Sequence, residues 1–163
     1  MNLHETLQQA LPIYDVVPLT QDNFADFCEV FDTNRDFLVK NYGKLVDEKG
    51  LLGAVAQLVD GFDPGDKYLA AICQGGRAIA VVDLLANLTA KNELFISVLM
   101  VRSDLQGKGF GATFAKGIIT AARRAGFSRV TLGTDDSAAK FWEKMGFVQE
   151  RESGGYKYYA IAF

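Results

Sequence analysis

The chain has 163 residues, 49% of them hydrophobic and 23% charged, with a formal net charge of −3. That is the composition of one ordinary globular domain, and a pI near 5.2 without a basic stripe speaks against nucleic-acid binding. No apolar run reaches the ~18 residues of a membrane span, and Met1–Leu7 lacks the basic-then-apolar order of a secretion signal, so a cytoplasmic protein without membrane partners is expected.

Two cysteines, Cys28 and Cys73, stand far apart without His or Cys neighbours at ligand spacing, so buried free thiols are expected and no metal site. Charge is divided unevenly. Residues 1–91 carry 7 Lys and Arg against 13 Asp and Glu, whereas residues 92–163 carry 10 against 7. The second half suits an anionic ligand and the first a cationic one.

Residues 1–11 read as a mobile tail or a short helix, with Leu3, Leu7 and Leu11 as its apolar positions. His4, the only histidine, reads as a solvated residue there, which leaves no Ser-His-Asp device. A strand over 13–17 ends at Pro18. Phe24, Phe27, Val30 and Phe31 recur at helical spacing and predict a helix over 21–32, with Thr20 or Asp22 to cap it. Phe37, Leu38, Tyr42 and Leu45 predict a second helix over 36–46; Gly50 interrupts, 51–59 reads as a third helix and 61–65 as a loop. The aromatics Phe24, Phe27, Phe31, Phe37 and Tyr42 are expected in the core, with the wall of a substrate cleft as the alternative for some of them.

Strands over 68–73 and 78–85 flank Gly75-Gly76, a hairpin signal. A polar link over 87–92 leads into an apolar strand over 94–101, making three consecutive antiparallel strands. Gly107, Gly109 and Gly111 come next, then a helix to Ala125, closed by Gly126 with Arg123 and Arg124 in its last turn. A strand over 129–134 precedes a helix over 138–145, capped within 135–137. Ala138, Phe141, Trp142 and Met145 form its apolar stripe, and Gly146-Phe147 reads as a Schellman stop. A hairpin over 147–163 turns at Gly154-Gly155.

The glycine-rich turn carries the chemistry. Three glycines in five residues allow close backbone approach to a ligand, and the helix after them aims free N–H groups and its positive dipole end into the turn. A phosphate is the usual occupant of such a site.

Gln106-Gly-Lys-Gly-Phe-Gly111 resembles the Arg/Gln-x-x-Gly-x-Gly/Ala signature of the GNAT superfamily of acyl-CoA-dependent N-acyltransferases. Asp135-x-x-Ala138-x-x-Phe141-Trp142-x-x-x-Gly146-Phe147 is similar to that family's second block, Asn-x-x-Ala-x-x-Phe-Tyr-x-x-x-Gly-Phe. The resemblance covers residues 94–147 closely and the earlier elements more loosely. It implies a single α/β domain of the α+β type, with a mixed, mostly antiparallel sheet between helices and two splayed strands. Residues 12–92 would form the substrate side and 93–163 the coenzyme side.

In that pattern, backbone groups around Leu99, Met100 and Val101 would pair with the pantetheine arm of acetyl-CoA. Gln106, Gly107, Lys108, Gly109, Phe110, Gly111 and Ala112 would hold the pyrophosphate, and Asp135, Ala138 and Phe141 would flank the arm's distal end. The second substrate would be an amine, cationic if the acidic first half receives it; a homodimer is left open. Three departures stand out. Trp142 replaces the family's acidic Tyr, with Tyr156, Tyr158 and Tyr159 as substitutes. Phe95 occupies the usual place of the basic carboxylate, so Glu93, two residues earlier, is the candidate base and Asp83 another. Asp135 replaces Asn.

Two rival readings remain. One is a non-catalytic acyl-CoA-binding module. The other is a dinucleotide-binding oxidoreductase, since Gly107-x-Gly109-x-x-Ala112 satisfies its fingerprint, although only 52 residues follow Gly111 and an antiparallel hairpin precedes it.

Overall fold

A computed structural model describes residues 2–20, 22–42 and 63–163. The expected helix over 51–59, the extension of the second helix to residue 46, the start of the 61–65 loop and the side chain of Tyr42 lie outside the described residues.

The strands are β1 (Asp15–Pro18), β2 (Lys67–Gln74), β3 (Arg77–Ala86), β4 (Glu93–Val101), β5 (Arg129–Thr134), β6 (Val148–Ser153) and β7 (Tyr156–Ala162). They form one seven-stranded sheet in the order β1-β2-β3-β4-β5-β7-β6. Only the β4–β5 pair is parallel. The hairpin signals are met by backbone geometry: Gly75 and Gly76 have φ of 58° and 75°, and Gly154 and Gly155 have 60° and 82°. Paired positive φ values are what a two-residue turn between twisted strands requires.

One face of the sheet carries α1 (Leu3–Ala10), α4 (Phe110–Ala125) and α5 (Asp136–Lys144); the other carries α2 (Glu29–Asp32) and α3 (Arg35–Tyr42). Of the two readings of the N-terminus, the helix is the one that forms. Asn2 and Glu5 close a capping box at its start, and Leu7 and Leu11 are buried in the main core. Helix α1 lies close on α4 because Gly117 has no side chain: a Cβ there would stand 2.6 Å from Leu11. His4 is half-buried, its Nδ1 2.6 Å from the Tyr68 hydroxyl, and so is not the solvated residue expected.

The single helix expected over 21–32 is divided into a 3-10 turn (Phe24–Phe27) and α2. Neither Thr20 nor Asp22 caps it through a side chain. Asn23 instead accepts the Thr20 N–H and donates to the Pro18 carbonyl. Phe24 and Phe31 are buried with centroids 5.2 Å apart, but Phe37 is 46% exposed and leaves the core to which the periodicity assigned it. At the other end of the chain Gly126 and Gly146 each end a helix with φ above 90°. The N–H groups of Phe127 and Phe147 reach back to Ala122 and Trp142, completing two Schellman motifs.

A bulge in β4 divides that strand in two. Asp83 of β3 pairs with Val98 and Leu84 with Ile96, leaving Ser97 extra. Before it, Leu94 and Ile96 face the α1/α4 core. After it, Val98 and Met100 face the α2/α3 core and Val101 the first. The alternation of the strand is therefore reversed at one residue.

Candidate active site

The β4–β5 ladder runs from Glu93 opposite Arg129 to Ile96 opposite Leu132 and goes no further. Beyond it the strands part. Arg102 donates its N–H to Ile79 of β3, so by alternation Leu99 and Val101 turn their backbone groups the other way, towards the gap. A cleft of about 320 Å³ occupies the gap. Leu99, Met100 and Val101 form one wall, Ala138, Phe141 and Trp142 of α5 the other, and Gln106 and Gly111 lie at the loop end.

The loop is built as the glycine spacing predicts. Gly107 has φ 73° and Gly109, the residue before α4, φ 90°. The Thr113 N–H reaches the Gly109 carbonyl as the first turn of the helix closes, so the N–H groups of Phe110, Gly111 and Ala112 point out of the helix end without a helical partner. No side chain caps this terminus, and Lys108 is exposed beside it. A Cβ on Gly107 or Gly109 would meet nothing within 4 Å. There, glycine serves the backbone conformation and leaves space outside.

Asn34, between α2 and α3, and Phe37, in the first turn of α3, also line the cleft. The Val101 carbonyl accepts from Asn34 Nδ2 at 3.0 Å and from Gln106 Nε2 at 2.9 Å, and Gln106 donates to Asn34 Oδ1 at 2.9 Å. This cluster joins the signature loop to the opposite side of the sheet. Nothing in the sequence marks Asn34; its role depends on a contact 67 residues away in the chain.

The structure does not bring Glu93 to the cleft. It starts β4 at the closed end, roughly 20 Å along the strand from Leu99. Its carboxylate pairs with Arg129 Nε at 3.0 Å and accepts the Thr89 hydroxyl at 2.6 Å. Counting by twos from Phe95 puts it on the reactive face, but an ion pair at the closed end holds it away from the cleft, where a base would have to stand.

The apolar stripe of α5 is only half core. Trp142 is buried and packs edge-on against Phe141 and Phe147, with centroids 4.8 and 5.3 Å away. Ala138, Phe141 and Met145 are half-exposed, and Ala139 is the second buried residue of the helix. None of the three tyrosines offered in place of an acid lines the cleft. Tyr159 is buried and donates to Glu143 at 2.9 Å; burial first, then that bond, raises its pKa. The Tyr158 ring lies 3.7 Å under the Arg151 guanidinium, and Tyr156 is exposed.

Asp135 caps α5 through Ser137 N–H at 2.9 Å and takes Lys40 Nζ of α3 at 2.5 Å. Lys40 first and Ser137 second hold its carboxyl down at about 2. Asp83, buried in β3, meets Lys67 Nζ with both oxygens at 2.7 Å. Burial pushes its pKa up against that partner's pull. No helix of the described residues is long and apolar enough to cross a membrane.

The geometry has counterparts. Residues 20–147 match the Acetyltransferase (GNAT) family profile. Over 130 residues, 70% of this chain, the sequence is 31% identical to the tRNA(Met) cytidine acetyltransferase TmcA of Haemophilus influenzae, of which it spans 20%. The fold is shared with an acetyltransferase of Thermus thermophilus, with a TM-score of 0.77, 19% identity and coverage of 92% of this chain and 97% of that one. It is also shared with the PaiA N-acetyltransferase of Thermoplasma acidophilum in complex with coenzyme A, with a TM-score of 0.64, 12% identity and coverage of 92% and 99%. Parted strands, a glycine-bent loop at a helix start and a family match across most of the chain agree: the chain belongs to the GNAT family of acetyltransferases.

Proposed function

We propose that this chain moves an acetyl group from acetyl-CoA to the primary amine of a small acceptor by direct attack through a tetrahedral intermediate. The observation that carries the reading is the ladder that stops at Ile96 and Leu132, with a cleft of about 320 Å³ beyond it. The PaiA structure, which binds coenzyme A, supports the choice of co-substrate.

In this reading the diphosphate is held by the N–H groups of residues 107–112 and by Lys108, where backbone donors and the dipole of α4 favour negative charge. The pantetheine arm lies between β4 and α5, with Ala138 and Phe141 against it. Leu99 offers it the backbone pairing, since Asn34 and Gln106 already engage the Val101 carbonyl. Residues 12–92 supply the acceptor side and 93–163 the coenzyme side. Asp135 anchors the rim through Lys40, next to the distal end of the arm.

A primary alkylamine titrates at ~10 and attacks only when neutral, so its proton must go to a base. As the thioester carbonyl gains negative charge, a fixed backbone N–H near the end of the ladder stabilises it, typically by ~3 kcal/mol. The relative that acetylates a tRNA cytidine is matched over 20% of its length, and a pI near 5.2 does not suit a polyanion; a small amine is the better acceptor.

The test is thiol release from acetyl-CoA across a panel comprising spermidine, an aminoglycoside, lysine, a peptide with a free N-terminus, and cytidine. Turnover with at least one alkylamine is expected. Turnover with cytidine alone, or with none, overturns the proposal.

A further inference from the structure

We propose that Ser97 is a catalytic residue: its hydroxyl, backed by the buried Asp83–Lys67 pair, receives the proton of the acceptor nitrogen. The inference rests on the acetyltransfer reading above and names the base that reading needs.

Ser97 is the extra residue of the β4 bulge, one position after the last residue that pairs with β5. It thus stands at the vertex of the parted strands, two residues before the cleft wall begins at Leu99. Because the alternation reverses there, Ser97 and Val98 both face the α2/α3 side. Asp83 faces the same way, between Leu69 and Val98 in the register. Ser97 is exposed, whereas the Asp83 and Lys67 side chains are 3% and 10% exposed. A dry carboxylate therefore backs an accessible hydroxyl at the apex of the gap.

A buried ion pair is a weak device for stability, because desolvation offsets most of its attraction. This one has capacity to spare. The two contacts from Lys67 use part of the four acceptor sites of a carboxylate, and the Ser97 hydroxyl, beside Asp83's register partner Val98, is close enough to lower the Asp83 pKa. The charged and titratable groups that act on Asp83 from its packed neighbours are Lys67 on β2 and the Ser97 hydroxyl on β4. Burial, the largest influence, raises its pKa and makes it a better proton acceptor than an exposed carboxylate.

Protons and electron pairs balance through the transfer. The acceptor ammonium gives one proton to Ser97 Oγ while the Ser97 proton passes to Asp83, which becomes neutral. The freed nitrogen lone pair forms the C–N bond, and the carbonyl π pair moves onto oxygen. Collapse restores the carbonyl and breaks the C–S bond, its electron pair leaving on sulfur. The second nitrogen proton goes to the thiolate, giving amide and coenzyme A thiol. Asp83 returns its proton to solvent through Ser97.

The experiment uses the full chain, acetyl-CoA and the panel amine with the fastest thiol release. Ser97→Ala is expected to lower kcat about 100-fold, within the range of a lost general base, while acetyl-CoA affinity by calorimetry stays within twofold. Its rate should climb with pH toward the acceptor's own pKa instead of levelling off earlier. Ser97→Thr should retain most of the activity. The double variant Asp83→Asn/Lys67→Met, which removes both buried charges, should reproduce the loss with intact coenzyme binding. A Ser97→Ala enzyme with wild-type kcat and pH profile overturns the relay alone. Wild-type protein that turns over no panel amine overturns the relay together with the acetyltransfer reading.

Discussion

The two halves of β4 are one strand with opposite duties. From Glu93 to Ile96 it is an interior strand, paired on both sides, its first carboxylate tied to Arg129 and Thr89. From Leu99 to Val101 it is paired with β3 only and lines a cleft. The composition barely changes along the strand; one inserted residue, Ser97, makes the difference. A bulge bends its strand and ends pairing locally, so one parallel pair of strands supplies rigidity at one end and a slot for a ligand at the other.

The largest expected effect comes from charge buried beside the bulge. Asp83→Asn alone leaves Lys67 charged and nearly dry, a loss of ~3–5 kcal/mol. For a chain of this size that lowers Tm by about 10 °C, measurable by calorimetry. Adding Lys67→Met should recover most of the stability but none of the activity. The sign with pH is set by burial. The folded Asp83 pKa lies above 3.8, so its burial costs nothing below that value, and the cost appears as pH rises through the folded pKa.

Next in size, Gly109→Asp acts on the open half. A non-glycine residue at φ 90° is strained, and a carboxylate at the start of α4 repels an anion. Together these amount to ~3 kcal/mol, or roughly 100-fold in acetyl-CoA affinity by titration calorimetry. Unchanged affinity would move the coenzyme out of the loop. Glu93→Gln probes the closed half. It should cost about 1 kcal/mol through the weakened contacts with Arg129 and Thr89, with kcat and its pH profile unaltered. A fall in kcat relieved at high pH would restore Glu93 as the base and erase the contrast between the halves.

Much of this was legible from local chemistry. Gly107, Gly109, Gly126 and Gly146 announced their positive φ values, because such conformations leave little choice of residue. The strand over 129–134 is legible to the residue, since a short apolar run between turn signals has few alternatives. What stayed hidden was set by distant partners. Phe24 to Phe31 has helical periodicity, yet Asn23 bonds to Pro18 and Thr20 and the segment divides. Phe37 has the spacing of a core residue but takes the alternative place, in the wall of a cleft. The bulge defeats sequence counting most directly: Leu94, Ile96, Val98 and Met100 are an unbroken alternation on paper, and nothing local shows that its second half faces the other core. Glu93 lies before the bulge and is held at the closed end by Arg129 and Thr89, partners the sequence does not mark.

The smallest effect concerns the rim where the cleft opens. Lys40 of α3 and Asp135 at the start of α5 form an exposed bridge across it. Such pairs contribute little in water and are screened by salt, so Asp135→Asn should change Tm at neutral pH by an amount near the limit of detection. Its pH dependence is more telling. The folded carboxyl titrates at about 2 against an ordinary 3.8, so whatever the bridge contributes is present above ~4 and lost as pH falls through ~2. Wild type and variant should therefore converge in acid denaturation across that window, and added salt should bring them together at neutral pH as well. Acetyl-CoA affinity should change less than threefold, because Asp135 holds the helix that faces the arm and does not touch the diphosphate loop. A loss as large as that of Gly109→Asp would mean that the open half of β4 depends on the bridge across its mouth as much as on the bulge at its apex.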